Sequence, residues 1–246
     1  MTTHKIAARR SRVMLTDERD QVAAPDRDPR PGHGPALWQV VVLVLGLCFL
    51  SGVVGWWLNK PDDDSFSAVD TGFLTDMETH HNGAINMSFD YLDRSHDPVV
   101  KHFAQEIISS QTQELAAMNS YLNRAGGAQV AGDGSVAMAW MGHPVRPADM
   151  PGMPTTAERA QLDESSGLEA DDLFTHLMIR HHAGGVAMAQ YAAEHGENAG
   201  VKKLAATMAK VQRTEIDEMN VRRLAIGLAP VPRSEIRRLE TVTHST

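Results

Sequence analysis

The chain of 246 residues carries 23 Lys and Arg against 31 Asp and Glu, a formal net charge of −8, with no basic stripe, which argues against nucleic acid as a partner. Twelve His and thirteen Met stand beside three Tyr, six Phe and a single Cys. The lone Cys48 can close no intramolecular disulfide, and without a cysteine cluster a zinc finger, an iron–sulfur centre and a thiol-redox site are excluded.

Residues 1–35 are polar, rich in Pro, Asp and Arg and without a helical period, and read as a disordered tail. Residues 37–58, LWQVVVLVLGLCFLSGVVGWWL, are apolar except for Gln39 and Ser51. As a helix they would span about 33 Å, enough to cross the hydrocarbon core of a bilayer. Trp38 at one end and Trp56 and Trp57 at the other suit the two interfaces. The run is too long for the apolar part of a cleaved signal peptide, and no small-x-small cleavage site follows it. A transmembrane anchor over 36–58 is therefore expected, with Cys48 buried in it. Lys5, Arg9, Arg10, Arg12, Arg19, Arg27 and Arg30 precede it, whereas Asp62, Asp63 and Asp64 follow it. The positive-inside rule puts the N-terminus in the cytoplasm and everything after the linker 59–69 outside.

The next segment reads as a duplicated four-helix bundle over 70–227, with halves 70–125 and 170–227. A first helix is expected from about 68 to 92. Asp97-Pro98 supplies an N-cap and a first-turn proline for a second helix, which runs to about 123 before Gly126-Gly127. The stretch 126–155 is a Met-, Pro- and Gly-rich loop with Met138, Met141, His143, Met150 and Met153, of a length usually functional or disordered. Thr155 to Glu158 has the form of a capping box that opens a short extra helix. Asp171 and Asp172 enrich the start of a third long helix that reaches His195, with Gly196 as its left-handed cap. The fourth runs from about 199 to 226 and closes at Gly227. Residues 228–246 read as a charged, peripheral tail.

The two halves match at a constant offset of 101 residues, without a gap, from Asp70 to Met118 and from Asp171 to Met219. Phe73 pairs with Phe174, Met77 with Met178, His80-His81 with His181-His182 and Met87 with Met188. Gln111 pairs with Gln212, Glu114 with Glu215 and Met118 with Met219. Apolar positions drift instead, Ile85 to Val186 and Leu115 to Ile216. Packing alone would tolerate volume-conserving apolar swaps, so identity at the His, Met, Gln and Glu positions points to a metal. Helical spacing puts His80, His81, Met77 and Met87 on one stripe, and Gln111, Glu114 and Met118 on another. Four imidazoles, two carboxylates and six methionines would then converge on one axis, the carboxylates held inward by pairing or coordination. Imidazole suits Zn, Cu, Fe and Ni, and thioether selects Cu(I). One matched acid per hairpin is too few for Ca or Mg. The candidate ligands are His80, His81, His181, His182, Met77, Met87, Met178, Met188, Glu114, Glu215, Met118 and Met219, for copper as Cu(I) and Cu(II), with zinc or iron as alternatives. A buried polar network without metal, with Glu114 or Gln111 holding a histidine, would use the same residues. His96, His102, His195 and His244 have no counterpart and read as surface residues. His176, opposite Thr75, is left unassigned.

The strings METHHNGAINM from Met77 and MIRHHAGGVAM from Met178 resemble the bacterial "domain of unknown function 305" family, as does Met-Pro-Gly-Met at 150–153. The resemblance covers 70 to about 226. It implies an all-α, ferritin-like four-helix bundle of two duplicated hairpins, here preceded by one transmembrane helix, and a copper-binding periplasmic role known for some members. The ferritin-like oxidases use a Glu from each of two helices and Glu-x-x-His from the others. Here Gln111-x-x-Glu114 and His-His stand instead, too few carboxylates for a di-iron oxo centre.

The function expected is a membrane-anchored, extracytoplasmic protein that sequesters or passes on copper in metal tolerance. Two alternatives remain, a metallo-oxidase acting on Cu(I) or another ion, and a metal-free structural or sensory ectodomain. The partners expected are metal ions and, through the N-terminal helix, a membrane; nucleic acid is not among them, and a homo-oligomer stays open. Reporter fusions placed after residue 60 should be active only outside the cytoplasm. Activity there of a reporter that works only in the cytoplasm would reverse the orientation.

Overall fold

A computed structural model describes residues 65–127 and 136–241. The tail 1–35, the anchor expected over 36–58, Cys48 and His244 lie outside the described residues. Among those described, no helix is long and apolar enough to cross a membrane, and the elements are six α-helices and short 3₁₀ turns. They are α1 (Ala68–Leu92), α2 (Pro98–Arg124), α3 (Thr156–Glu164), α4 (Leu168–His195), α5 (Ala199–Ala225) and α6 (Arg233–Glu240). The four long ones, α1, α2, α4 and α5, build the bundle.

Local signals set most of the ends. Ser67 and Asp70 form a capping box at α1, and Thr155 and Glu158 form the one expected at α3. The Asp97 carboxylate accepts from the Val99 and Val100 N–H groups at 3.0 Å, with Pro98 at the first helical position. Asn198, 101 residues on, does the same for Gly200 and Val201. Gly127 and Gly227 end α2 and α5 with φ of 63° and 84°. Gly196 differs from expectation. Its φ is −65°, which any residue adopts. Glycine is needed for space, because a Cβ there would sit 2.5 Å from Asp70 Oδ1 and 2.7 Å from the Ala192 carbonyl.

That contact belongs to a pair of cross-hairpin latches. Asp70, at the start of α1, accepts from the Glu197 and Asn198 N–H groups in the α4–α5 turn, each at 3.1 Å. Asp171, its counterpart at the start of α4, accepts from His96 at 3.0 Å and Asp97 at 2.9 Å in the α1–α2 turn. Each hairpin grips the turn of the other, so α1 and α4 run antiparallel. Tyr91 strengthens one latch by donating to Asp171 Oδ1 at 2.5 Å, and its ring stacks on Phe174 at 4.2 Å. Its counterpart is Ala192, so the other latch has no such bond.

Two expectations fail on packing. The segment after Pro230 is not peripheral: Val231 and Ile236 are buried, and α6 lies against α4. Its Glu235 meets His176 Nε2 at 3.2 Å, which ties that histidine to α6. The described part of the Met-rich loop is also packed. Met138, Met141 and Met150 are buried, and Asp76 on α1 accepts from Met138 N at 2.6 Å and Trp140 Nε1 at 2.7 Å.

Removing a latch carboxylate would strand buried donors. Asp171→Ala should lower stability by about 3 kcal/mol in urea denaturation, and Tyr91→Phe by about 1 kcal/mol. A latch variant as stable as the parent would show that these bonds do not hold the hairpins together.

Candidate metal centre

The matched polar residues gather in one layer across the middle of the bundle. His80 and His81 sit at the midpoint of α1, and His181 and His182 at the midpoint of α4, all at 1% exposure or less. The apolar core divides on either side of them. Met77, Met118 and Met188 belong to one half, and Met87, Met178 and Met219 to the other. The six methionines thus do not meet at one point, as the stripe geometry suggested. The antiparallel crossing of α1 and α4 sends three to each side. Met208, Met138, Met141 and Met150 join the Met77 half.

Within the layer the four rings fall into two symmetric kinds. His80 lies against its counterpart His181, with centroids 3.8 Å apart, so the pseudo-two-fold axis passes between them. His81 Nε2 is 2.7 Å from Glu114 Oε2, and His182 Nε2 is 2.8 Å from Glu215 Oε2, one pair inside each hairpin. Glu114 and Glu215 are not sealed inward as expected. Their side chains keep 21% exposure, so each carboxylate stands at the rim with one oxygen on a buried imidazole.

The connection between the halves supplies what symmetry cannot. Residues 150–153 strap the α1/α4 crossing from one side, and the Pro151 carbonyl lies 3.2 Å from His80 Nε2. His181 Nε2 turns instead to the backbone carbonyl of His80, at 3.1 Å. A Cβ on Gly184 would stand 1.9 Å from the Pro151 oxygen, and one on Gly152, whose φ is 80°, 2.3 Å from the Arg180 carbonyl. These two glycines let the strap press onto α4. The gapless repeat predicted equivalent ligands from both halves; the strap makes His80 and His181 inequivalent.

Bonding sets which ring nitrogen donates. Nε2 of His80 and of His181 faces a carbonyl, which only accepts, so each carries its proton on Nε2. Nε2 of His81 and of His182 faces a glutamate oxygen and donates to it. In the neutral form of the four rings, each Nδ1 then presents a lone pair. Among the described residues eight buried side-chain polar atoms lack a partner, and six lie in this layer: the four Nδ1 atoms and Oε1 of Gln111 and Gln212. All six are acceptors, which is unfavourable in an apolar core unless a cation or donors meet them. Among the described residues no three His, Cys, Asp or Glu side chains stand close enough to cage an ion by themselves. Nitrogens and thioethers together make the available donor set.

Spacing identified the histidines, the glutamates and the matched methionines. It missed the latch aspartates Asp70 and Asp171, although both match at the 101-residue offset, and it missed the strap carbonyl, which has no side-chain signal. His96 and His102 have largely exposed rings, as expected.

Burial holds His80 down to about 3, opposed by its bond to Pro151 and reinforced by His81 and His182. The same burial holds His181 well below the usual range. Both groups bind protons more readily when unfolded, near 6.5, so stability is full above that pH and falls as pH drops from about 6.5 towards 3. For His80 alone the slope is about 1.4 kcal/mol per pH unit. Urea denaturation of metal-free protein at pH 7, 6, 5 and 4 should show the decline. His80→Gln, which keeps an amide donor for Pro151, should flatten it.

The family model described as Domain of unknown function (DUF305) matches residues 70–223. The crystal structure of a DUF305 protein from Streptomyces coelicolor is 32% identical, covers 69% of this chain and 98% of its own, and superposes with a TM-score of 0.60. CopM in its Cu(I)-bound form is 24% identical, over 64% of this chain and 97% of its own, with a TM-score of 0.47. An uncharacterised protein of Acanthamoeba polyphaga mimivirus is 43% identical over 54 residues. The match spans 22% of this chain and 36% of that relative's length.

Proposed function

The chain belongs to the DUF305 family, and on that footing we propose that its bundle takes up a soft or borderline metal cation, copper first, in the central histidine layer. The observation that carries this reading is the set of six buried acceptors without donors in that layer. A metal-free polar network would supply donors to such atoms, and as the side chains stand the four Nδ1 atoms meet none.

The outer shell suits a metal as well. A ligating histidine ordinarily donates its other ring N–H to a carboxylate or a backbone carbonyl. Here Nε2–H of His81 and His182 is directed at Glu114 and Glu215, and that of His80 and His181 at main-chain oxygens. In this reading the two glutamates orient imidazoles and do not ligate. The donors on offer are Nδ1 of the four histidines, no three of which cage an ion as they stand, with Met77, Met118 and Met188 on one side and Met87, Met178 and Met219 on the other. Neutral imidazole accepts either oxidation state of copper, and thioethers favour Cu(I). Zinc competes through the histidines alone. The low proton affinity of His80 and His181 keeps those nitrogens available in acid, below the range near pH 5 where an unperturbed imidazole would release Cu(II). Sequestration or transfer fits better than turnover, since both carboxylates of the layer are engaged by histidines. The bundle works outside the cytoplasm, tethered by 37–58.

Isothermal titration of the full chain with Cu(II) tests the reading. Replacing His80, His81, His181 and His182 together with Ala should abolish tight binding. Glu114→Gln or Glu215→Gln should weaken it by about 10- to 100-fold through loss of ring orientation. Survival of copper affinity in the fourfold variant would make the layer structural.

A further inference from the structure

Resting on the reading that the histidine layer holds a metal cation, we propose that the ion enters and leaves through the groove between α2 and α5. Glu215 and Met219 are its inner contacts, and Glu106 and Glu218 stand at its mouth.

The layer has two broad sides, and the strap closes one. Over the α1/α4 crossing the Pro151 carbonyl sits on His80, the Gly152 backbone lies against Arg180 and His181, and Met153 packs over Gly83. On the other side α2 and α5 diverge. They leave a groove of about 500 Å³ between them, walled by Phe103, Ile107, Ser110 and Thr214, with Glu215 and Met219 among its lining. A neighbouring depression of about 460 Å³ shares Glu106 and Ser110 and reaches Glu114. Both layer carboxylates thus border open space, and each bonds a fully buried imidazole. They connect the groove to the unpartnered nitrogens behind them.

The chemistry along the groove runs in a useful order. Glu106, Glu114, Glu215 and Glu218 line the two depressions, with Lys210 the one cation among the lining residues. Such a cleft concentrates cations and speeds their arrival, an effect that salt screens. Carboxylates are weak ligands for a soft ion, so they guide without trapping it. The Met219 thioether and the imidazole nitrogens hold it more strongly. A hydrated ion can therefore exchange water for protein donors in steps, from rim to layer.

Stopped-flow loading of the full chain with Cu(II) alone, followed by quenching of tryptophan fluorescence, tests the route, with titration giving the equilibrium. Ser110→Phe fills the groove from α2 and should slow loading and release in the same proportion, by about tenfold. Thr214→Phe, at an exposed position on the opposite wall, repeats the block if the first variant does not fold. Glu106→Gln with Glu218→Gln should slow loading about threefold at low salt, with no difference at high salt. Gln190→Phe, on the α4/α5 face, should leave both rates unchanged. Tight binding with unaltered rates in the groove variants would overturn the route and leave the metal reading standing. Absence of copper binding in the parent chain would overturn both.

Discussion

Four histidine side chains lie in the middle of an apolar bundle with almost no access to water, and the rest of the structure answers to that burial. A neutral imidazole carries one donor and one acceptor, and leaving either unmet in a low-dielectric interior is costly. The donors are met at once: two by glutamates that reach in from the rim, one by the strap, one by the main chain of the facing helix. Gly184 and Gly152 are small because that strap must touch. The acceptor nitrogens have no partner among the described residues, which is why a cation is proposed for them.

Two antiparallel hairpins make this arrangement possible, and their relative position does not rest on apolar packing alone. Asp70 and Asp171 bind main-chain N–H groups in each other's turns, and they act at opposite ends of the bundle. With both ends held, the midpoints of α1 and α4 come into register, and His80 meets His181. The symmetry then breaks in two places: at Tyr91, whose matched residue is Ala192, and at the strap. A duplicated chain has only one connection between its halves, so the strap covers one side of the layer, and on the other side Glu114 and Glu215 border the acidic groove.

The helices, most of their caps and the burial of the matched histidines and methionines were legible in the sequence, because each is set by groups close together along the chain. Asp97-Pro98, Thr155 with Glu158, and Gly227 act within one helical turn, and the 3.6-residue period assigns a face to each histidine and methionine. The repeat went further: an offset of 101 without a gap made the two hairpins equivalent before any contact was known.

Tertiary structure decided what depends on groups far apart. The direction of α4 against α1 sends the methionines to two sides of the layer, and no periodicity within one helix carries that information. The rim position of Glu114 and Glu215 follows from how far α2 and α5 diverge. The role of Gly196 is a distance to Asp70, 126 residues away, and not a dihedral angle. The strap acts through a backbone carbonyl, which every residue has, so no residue type could announce it. Spacing along a helix chose the donors; the crossing of two helices, which only the packed core can set, decided which donors meet.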